Sequence, residues 1–187
     1  MDQTAGTLTY STALADYRRY VMPVRPFTIA LRGIYYGRFG RRAEDPLLTP
    51  MFIGYPDLVR GYDYNSFDPA ECGNTTDGSC PVFDKRVGSR MIVGNAELRF
   101  PPWGALGGSN FYGPLPVELA LFMDAGAAWG RSTALHLTGP NSDLVRSAGI
   151  AARVNLFGFA VAEIDSVHPF DRPLKGWMWQ FNFRPGF

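Results

Sequence analysis

Along the segment 175–187, Trp177, Trp179, Phe181 and Phe183 alternate with Met178, Gln180, Asn182 and Arg184. Successive side chains of an extended strand point to opposite faces, so this spacing makes one face of large aromatics and one polar face. A soluble sandwich rarely leaves four large aromatics on its surface. A strand between lipid on one side and a wet lumen on the other requires that division. The segment therefore restricts the chain to an all-β design whose greasy face is the outside.

Six further segments read as strands, 6–21, 26–38, 86–100, 115–128, 146–157 and 159–168, and no stretch has helical periodicity. In 115–128, Val117, Leu119, Leu121 and Met123 share a face against Glu118, Ala120, Phe122 and Asp124. In 146–157, Ser147, Gly149, Ala151, Arg153 and Asn155 oppose Ile150, Val154 and Leu156. In 26–38, Thr28, Ala30 and Arg32 oppose Phe27, Ile29 and Leu31. The segment 6–21 alternates poorly around Asp16 to Tyr20 and its facing stays open. The chain is 46% hydrophobic, yet no stretch approaches the roughly 18 apolar residues of a spanning helix. Alternation of lipid-facing and lumen-facing residues brings mean hydropathy to −0.09 while aromatics stay at 14%. A net charge of +1 leaves no electrostatic footprint for nucleic acid or for an acidic substrate.

Short and long connections alternate, as between the periplasmic and outer ends of a membrane barrel. Met22 to Arg25 is short, 39–85 is very long, Pro101 to Pro114 is moderate, 129–145 is polar, the Phe157-Gly158 turn is tight, and 169–174 closes the set. With 39–85 outside the cell, parity puts 101–114, the Gly158 turn and Phe187 in the periplasm. A loop of that length inside a compact domain points to a functional loop. The expected fold is an antiparallel transmembrane β-barrel segment of seven strands over 1–187, with 39–85 folding inward.

The long loop carries Val59-Arg60-Gly61-Tyr62 and both cysteines. Two strand motifs, GNAELRFP from Gly94 to Pro101 and FMDAG from Phe122 to Gly126, put Glu97 and Asp124 on polar faces, so one arginine has two candidate acidic partners. A guanidinium stays charged and meets a carboxylate through two parallel hydrogen bonds, which lysine does not reproduce. Gly61 permits a sharp turn or close approach to the wall, and Tyr62 packs while still hydrogen-bonding. Cys72 and Cys80 enclose seven polar or small residues and read as a loop-closing disulfide, which fits an oxidising compartment.

These runs, with the ending NFRPGF at Phe187, resemble the C-terminal barrel segment of the bacterial surface antigen family, outer-membrane barrels of the BamA and TamA type, from about Leu8 to Phe187. The resemblance implies that Arg60 meets Glu97 and Asp124 on two neighbouring strands and packs on Phe122, with Val59, Gly61, Tyr62 and Gly126 completing the loop lock. It also implies location in the bacterial outer membrane, lipid around the barrel, and client outer-membrane or secreted proteins. Assembly machinery would read a terminal strand built from Trp177, Trp179, Phe181, Phe183 and Phe187. A weakly paired seam would open between the first and last strands. No cofactor and no enzyme chemistry are implied. Seven strands fall short of the roughly sixteen implied by the family, so the expectation is the C-terminal part of a larger barrel. Met1 to Thr4 has no basic region, apolar core or cleavage site, which suggests the tail of a longer chain.

Competing chemistry is poorly supported. Asp165, Ser166 and His168 contain the residue types of a hydrolytic triad but lie too close along one strand. Glu163 and Asp165 share a face and read as solvated lumen carboxylates rather than an acid/base pair. Two cysteines make a poor metal site, and neither His136 nor His168 stands at ligand spacing. Two other functions compete with protein assembly. One is an anchor or secretion pore for a fused N-terminal domain, for example a lipase-like one; the other is a passive porin.

Overall fold

The computed structural model describes residues 8–73, 80–105, 116–139 and 142–185. Seven strands form one antiparallel sheet: β1 (Ser11–Val24), β2 (Phe27–Phe39), β5 (Arg90–Phe100), β6 (Val117–Trp129), β7 (Val145–Leu156), β8 (Ala160–Pro169) and β9 (Met178–Pro185). Each pairs with its neighbours in that order, a meander with the long loop inserted between β2 and β5. Inside that loop β3 (Met51–Phe52) and β4 (Val87–Gly88) make a separate two-stranded ribbon. The sheet strands are 8 to 14 residues long, enclosing the length that crosses a bilayer when tilted. Among the described residues no helix is long and apolar enough to cross a membrane.

Alternation along the chain becomes two faces of the sheet. Leu31, Leu121, Met123, Ile150 and Ile164 are exposed, as are Trp177, Trp179, Phe181 and Phe183. The opposite set, including Ala30, Ala120, Phe122, Asp124, Ser147 and Ala151, is buried. The long loop packs on this second face, here called the inner face. Ile53, Val59 and Tyr62 of the loop join Ile34, Val93, Ala128 and Val145 of the wall in one buried cluster. Phe122, Ala120, Ala151 and Val167 form a second cluster beside it. The loop thus supplies a core that a single sheet lacks.

The first strand runs later than expected: β1 begins at Ser11, continues to Val24, and turns at Arg25-Pro26 rather than across Met22 to Arg25. Every β1 side chain is exposed, which accounts for the poor alternation around Asp16 to Tyr20. Because no residue of this edge strand is buried, neither face has to be apolar. Register settles the facing: Asp16 accepts from Arg32 Nη2 at 2.8 Å, which places it on the inner side. At the other end of the sheet, the turn after β7 carries Phe157 at φ 55° and Gly158 at φ 81°, with Gly158 N donating to Asn155 Oδ1 at 2.7 Å.

Candidate functional site

The Val59–Tyr62 run sits where the loop reaches the inner face of β5, β6 and β8. Val59 N donates to Ile53 O at 3.2 Å and closes the turn that presents Arg60. Gly61 has φ 87°, in the region glycine enters without penalty, and a Cβ there would lie 3.1 Å from Val167 Cγ2 and 3.3 Å from Pro169 Cβ. Both reasons for a glycine, the positive φ and the close approach, act at this one position. Gly126 serves the same contact from the wall, since a Cβ on it would meet Val59 Cγ2 at 2.9 Å. Tyr62 is fully buried, and its hydroxyl donates to Arg146 O at 2.7 Å and accepts from Asp171 N at 3.2 Å.

Arg60 is 3% exposed and holds Asp124 with a two-pronged bond, Nε to Oδ2 at 2.7 Å and Nη2 to Oδ1 at 2.9 Å. Its own backbone N–H adds a third bond to Oδ2 at 3.2 Å. Glu97 lies 2.8 Å from Nη2, and the guanidinium carbon stands 3.4 Å above the centre of the Phe122 ring. The structure therefore brings Arg60, Glu97, Asp124 and Phe122 into one contact group, with Val59, Gly61, Tyr62 and Gly126 around it. Burial works against the Arg60 charge. The Asp124 hydrogen bond and the charges of Asp124 and Glu97 outweigh it, so the guanidinium is held above its already high ordinary value.

Several members of this network were not expected as partners of the loop arginine. Arg153 of β7 donates to Glu97 at 2.8 and 2.9 Å and to Glu163 at 3.0 Å. Glu163 of β8 also stands 3.5 Å from Arg60 Nη1. Asn95 Nδ2 bridges Asp124 Oδ1 at 2.9 Å and Leu58 O at 2.7 Å, tying β5, β6 and the loop together. Glu163 and Asp165, expected to be solvated, are each 1% exposed, because the docked loop covers the wall that alternation alone left open to water. Two guanidinium groups, Arg60 and Arg153, thus sit among Asp124, Glu97 and Glu163 in one largely buried cluster. Alternation did place Arg153 and Glu163 on the inner faces of β7 and β8. It carried no sign of which charges share a height along the strands.

The remaining predicted residues lie elsewhere. Cys72 and Cys80 are joined by a disulfide within the long loop. Trp177, Trp179, Phe181 and Phe183 form an exposed aromatic row in and just before β9, and Phe187 lies outside the described residues. In β8, Asp165 is buried on the inner side, while the imidazole of His168 stacks on Phe170 and meets Trp177 edge-on, each at 5.4 Å between ring centres, on the outer side. Opposite facing keeps this pair from hydrolytic geometry.

Comparison with known proteins adds an extensive match to a family model. No curated protein matches the chain. The Omp85 superfamily domain matches residues 2–186, nearly its full length. That domain is typical of bacterial outer-membrane proteins, and its family comprises non-enzymatic factors for protein insertion or translocation. The sheet with its outward aromatic face, the inward loop and this match agree: the chain belongs to the Omp85 superfamily.

Proposed function

We propose that this chain is the C-terminal part of the outer-membrane barrel of a protein assembly, insertion or translocation factor, and that Arg60 locks loop 39–85 against the lumen wall through Asp124 and Glu97. The observation that carries the reading is the two-pronged Arg60–Asp124 bond, with both side chains buried. A buried ion pair contributes little net stability against an apolar alternative, but losing one partner is costly because a charge is left unpaired. Such a pair acts as a specifier: it makes one loop position far better than its neighbours. The loop then braces the wall, while clients engage an edge of the sheet.

In the described sheet β1 and β9 are the edge strands. An edge presents unpaired N–H and C=O groups to which an incoming strand can add. In this reading β9 forms one side of a seam that opens toward lipid, and the clients are outer-membrane or secreted proteins. The aromatic row from Trp177 to Phe183 faces lipid, and this row with the terminal Phe187 is the sequence that assembly machinery recognises when the chain itself is inserted. The Cys72–Cys80 disulfide belongs to the cell-exterior side of the loop, in an oxidising setting.

The test is client assembly in cells depleted of the wild-type, full-length protein. Arg60→Ala and Asp124→Asn are expected to lose client assembly, while Arg41→Ala, on the exposed part of the same loop, retains it. Normal assembly by both site variants would sink the lock. High ion conductance unchanged by Arg60→Ala would instead identify a passive porin.

A further inference from the structure

The long loop is fastened at a second point. Arg172, in the connection between β8 and β9, is 1% exposed, and all five of its guanidinium N–H groups have acceptors. Nε and Nη2 grip Glu71 Oε2 and Oε1 at 2.9 and 2.6 Å. Nη1 donates to Gly61 O at 2.9 Å and Ser66 Oγ at 2.7 Å, and Nη2 also donates to Ser66 O at 2.8 Å. The Phe67 ring lies 4.3 Å from the guanidinium carbon. Glu71 is held ready for this partner: it occupies the third position of a short 3₁₀ turn, Pro69–Cys72, and accepts from Asp68 N in a reciprocal capping arrangement. The disulfide at Cys72 closes the end of that turn.

The neighbouring residue completes the connection. Asp171 accepts from Arg146 of β7 at 2.7 Å (backbone N) and 3.0 Å (Nη2), and its backbone carbonyl accepts from Arg86 Nη2 at 3.2 Å. Gln180 of β9 accepts from Gly61 N at 2.8 Å. Loop segment 61–71 is thus tied to the β8–β9 hairpin by bonds in which Arg60 takes no part. None of the Arg172 partners is shared with Arg60.

We propose that Arg172 and Glu71 form a second, independent lock that fastens the loop to the terminal hairpin, with Arg172 as a positioning residue. A saturated, buried guanidinium cannot shift to new acceptors without losing several charge-assisted bonds at once, so hairpin and loop segment move together or separate completely. This extends the reading of the loop as a brace: Arg60 ties it to the wall, chiefly β5 and β6 with a longer contact to Glu163 of β8, and Arg172 ties it to the connection that leads into the strand at the seam. Displacement of β9 by a client would then be transmitted to the loop.

The test uses the full-length protein in lipid vesicles, with spin labels replacing Asn65 on the loop and Leu174 on the hairpin, both exposed positions. The distance distribution between the labels is compared in the otherwise unchanged protein and in Arg172→Met, Glu71→Gln and Arg60→Met. The gentler Glu71→Gln keeps the shape of the pair if Arg172→Met fails to fold. A narrow distribution is expected in the parent and in Arg60→Met, broadening about twofold in Arg172→Met and Glu71→Gln as the segment opens locally. Unchanged width in both Arg172→Met and Glu71→Gln overturns the proposal. So does equal broadening in all three variants, which would make Arg60 the anchor for the whole loop. Client assembly measured on the same variants reads the brace separately: full activity of Arg60→Met would refute the proposed function and leave the second lock standing.

Discussion

Removing either partner of the Arg60–Asp124 bond should cost unequal amounts, and the inequality follows from what each leaves behind. Asp124→Ala leaves Arg60 with Glu97 at 2.8 Å and Glu163 at 3.5 Å. Its charge stays compensated, so the cost falls at the lower end of the range for a broken buried pair, about 3 kcal/mol. Arg60→Ala takes both charge-assisted side-chain bonds, and the compensating charge, from a carboxylate that is 0% exposed and leaves it only two neutral donors, the backbone N–H of residue 60 and Asn95 Nδ2. That cost falls at the upper end, about 5 kcal/mol. In the double variant no charge is orphaned at this contact, because Arg153 still holds Glu97 and Glu163. Its effect should lie about 3 kcal/mol or more below the sum of the singles. At about 1.4 kcal/mol per factor of ten, the undocked loop rises about a hundredfold for Asp124→Ala and about three-thousandfold for Arg60→Ala. Hydrogen exchange of the amides at residues 53–62, in vesicles and under conditions where exchange reports the opening equilibrium, measures that population. Singles that add in the double to within about 0.5 kcal/mol would refute the argument, since independent sites behave that way.

Three further outcomes follow from the same geometry. Gly61→Ala should destabilise the docked loop by about 1–3 kcal/mol, from the strained backbone at φ 87° and the crowding by Val167 and Pro169; unaltered amide exchange in 53–62 would contradict this. Phe181→Arg, on the exposed aromatic row, should cost about 2–4 kcal/mol in reversible urea unfolding from vesicles if it sits at the bilayer midplane, and Asn182→Arg, opposite Glu163 on the other face, should cost less. Reversal of that order would turn the sheet inside out. For Glu71, burial raises the carboxyl's pKa, but the Arg172 hydrogen bond and the Asp68 backbone bond outweigh it and hold the group below the usual range. A lowered folded value means the contribution is fully present above the ordinary glutamate value of about 4.3 and is lost as pH falls through the lowered value. The Asn65–Leu174 label distance should therefore stay narrow down to about pH 4.3 and broaden only below it, and a constant width in stronger acid would show that the pair does not hold the segment.

Period-two spacing was sufficient to assign faces along most of the sheet because a strand has only two, and the aromatic row from Trp177 to Phe183 fixed which one is greasy. It failed at β1, where the exposed edge imposes no pattern, and there register with Arg32 decided the facing. Glu97 and Asp124 were legible as candidate partners of Arg60 because the loop run and the two strand motifs are each short and local, whereas the contact itself and the packing on Phe122 came from the family resemblance. Glu163, Arg153, Asn95, Glu71 and Arg172 were not legible as partners, although all are visible as residues.

By itself the sequence determined an all-β chain, alternating strands with a lipid-compatible face, one long loop bearing an arginine, and carboxylates on the strands able to receive it. These are properties of neighbours along the chain, where pleat geometry and composition act directly. Only the tertiary structure decided which charges share a height across β5 to β8, that the loop covers Glu163 and Asp165, and that Arg172 reaches back 101 residues to Glu71. Alternation specifies the side of a strand but not the depth, and a buried network is defined by depth: register and loop docking are non-local, so they set which charges lose water together and must pair.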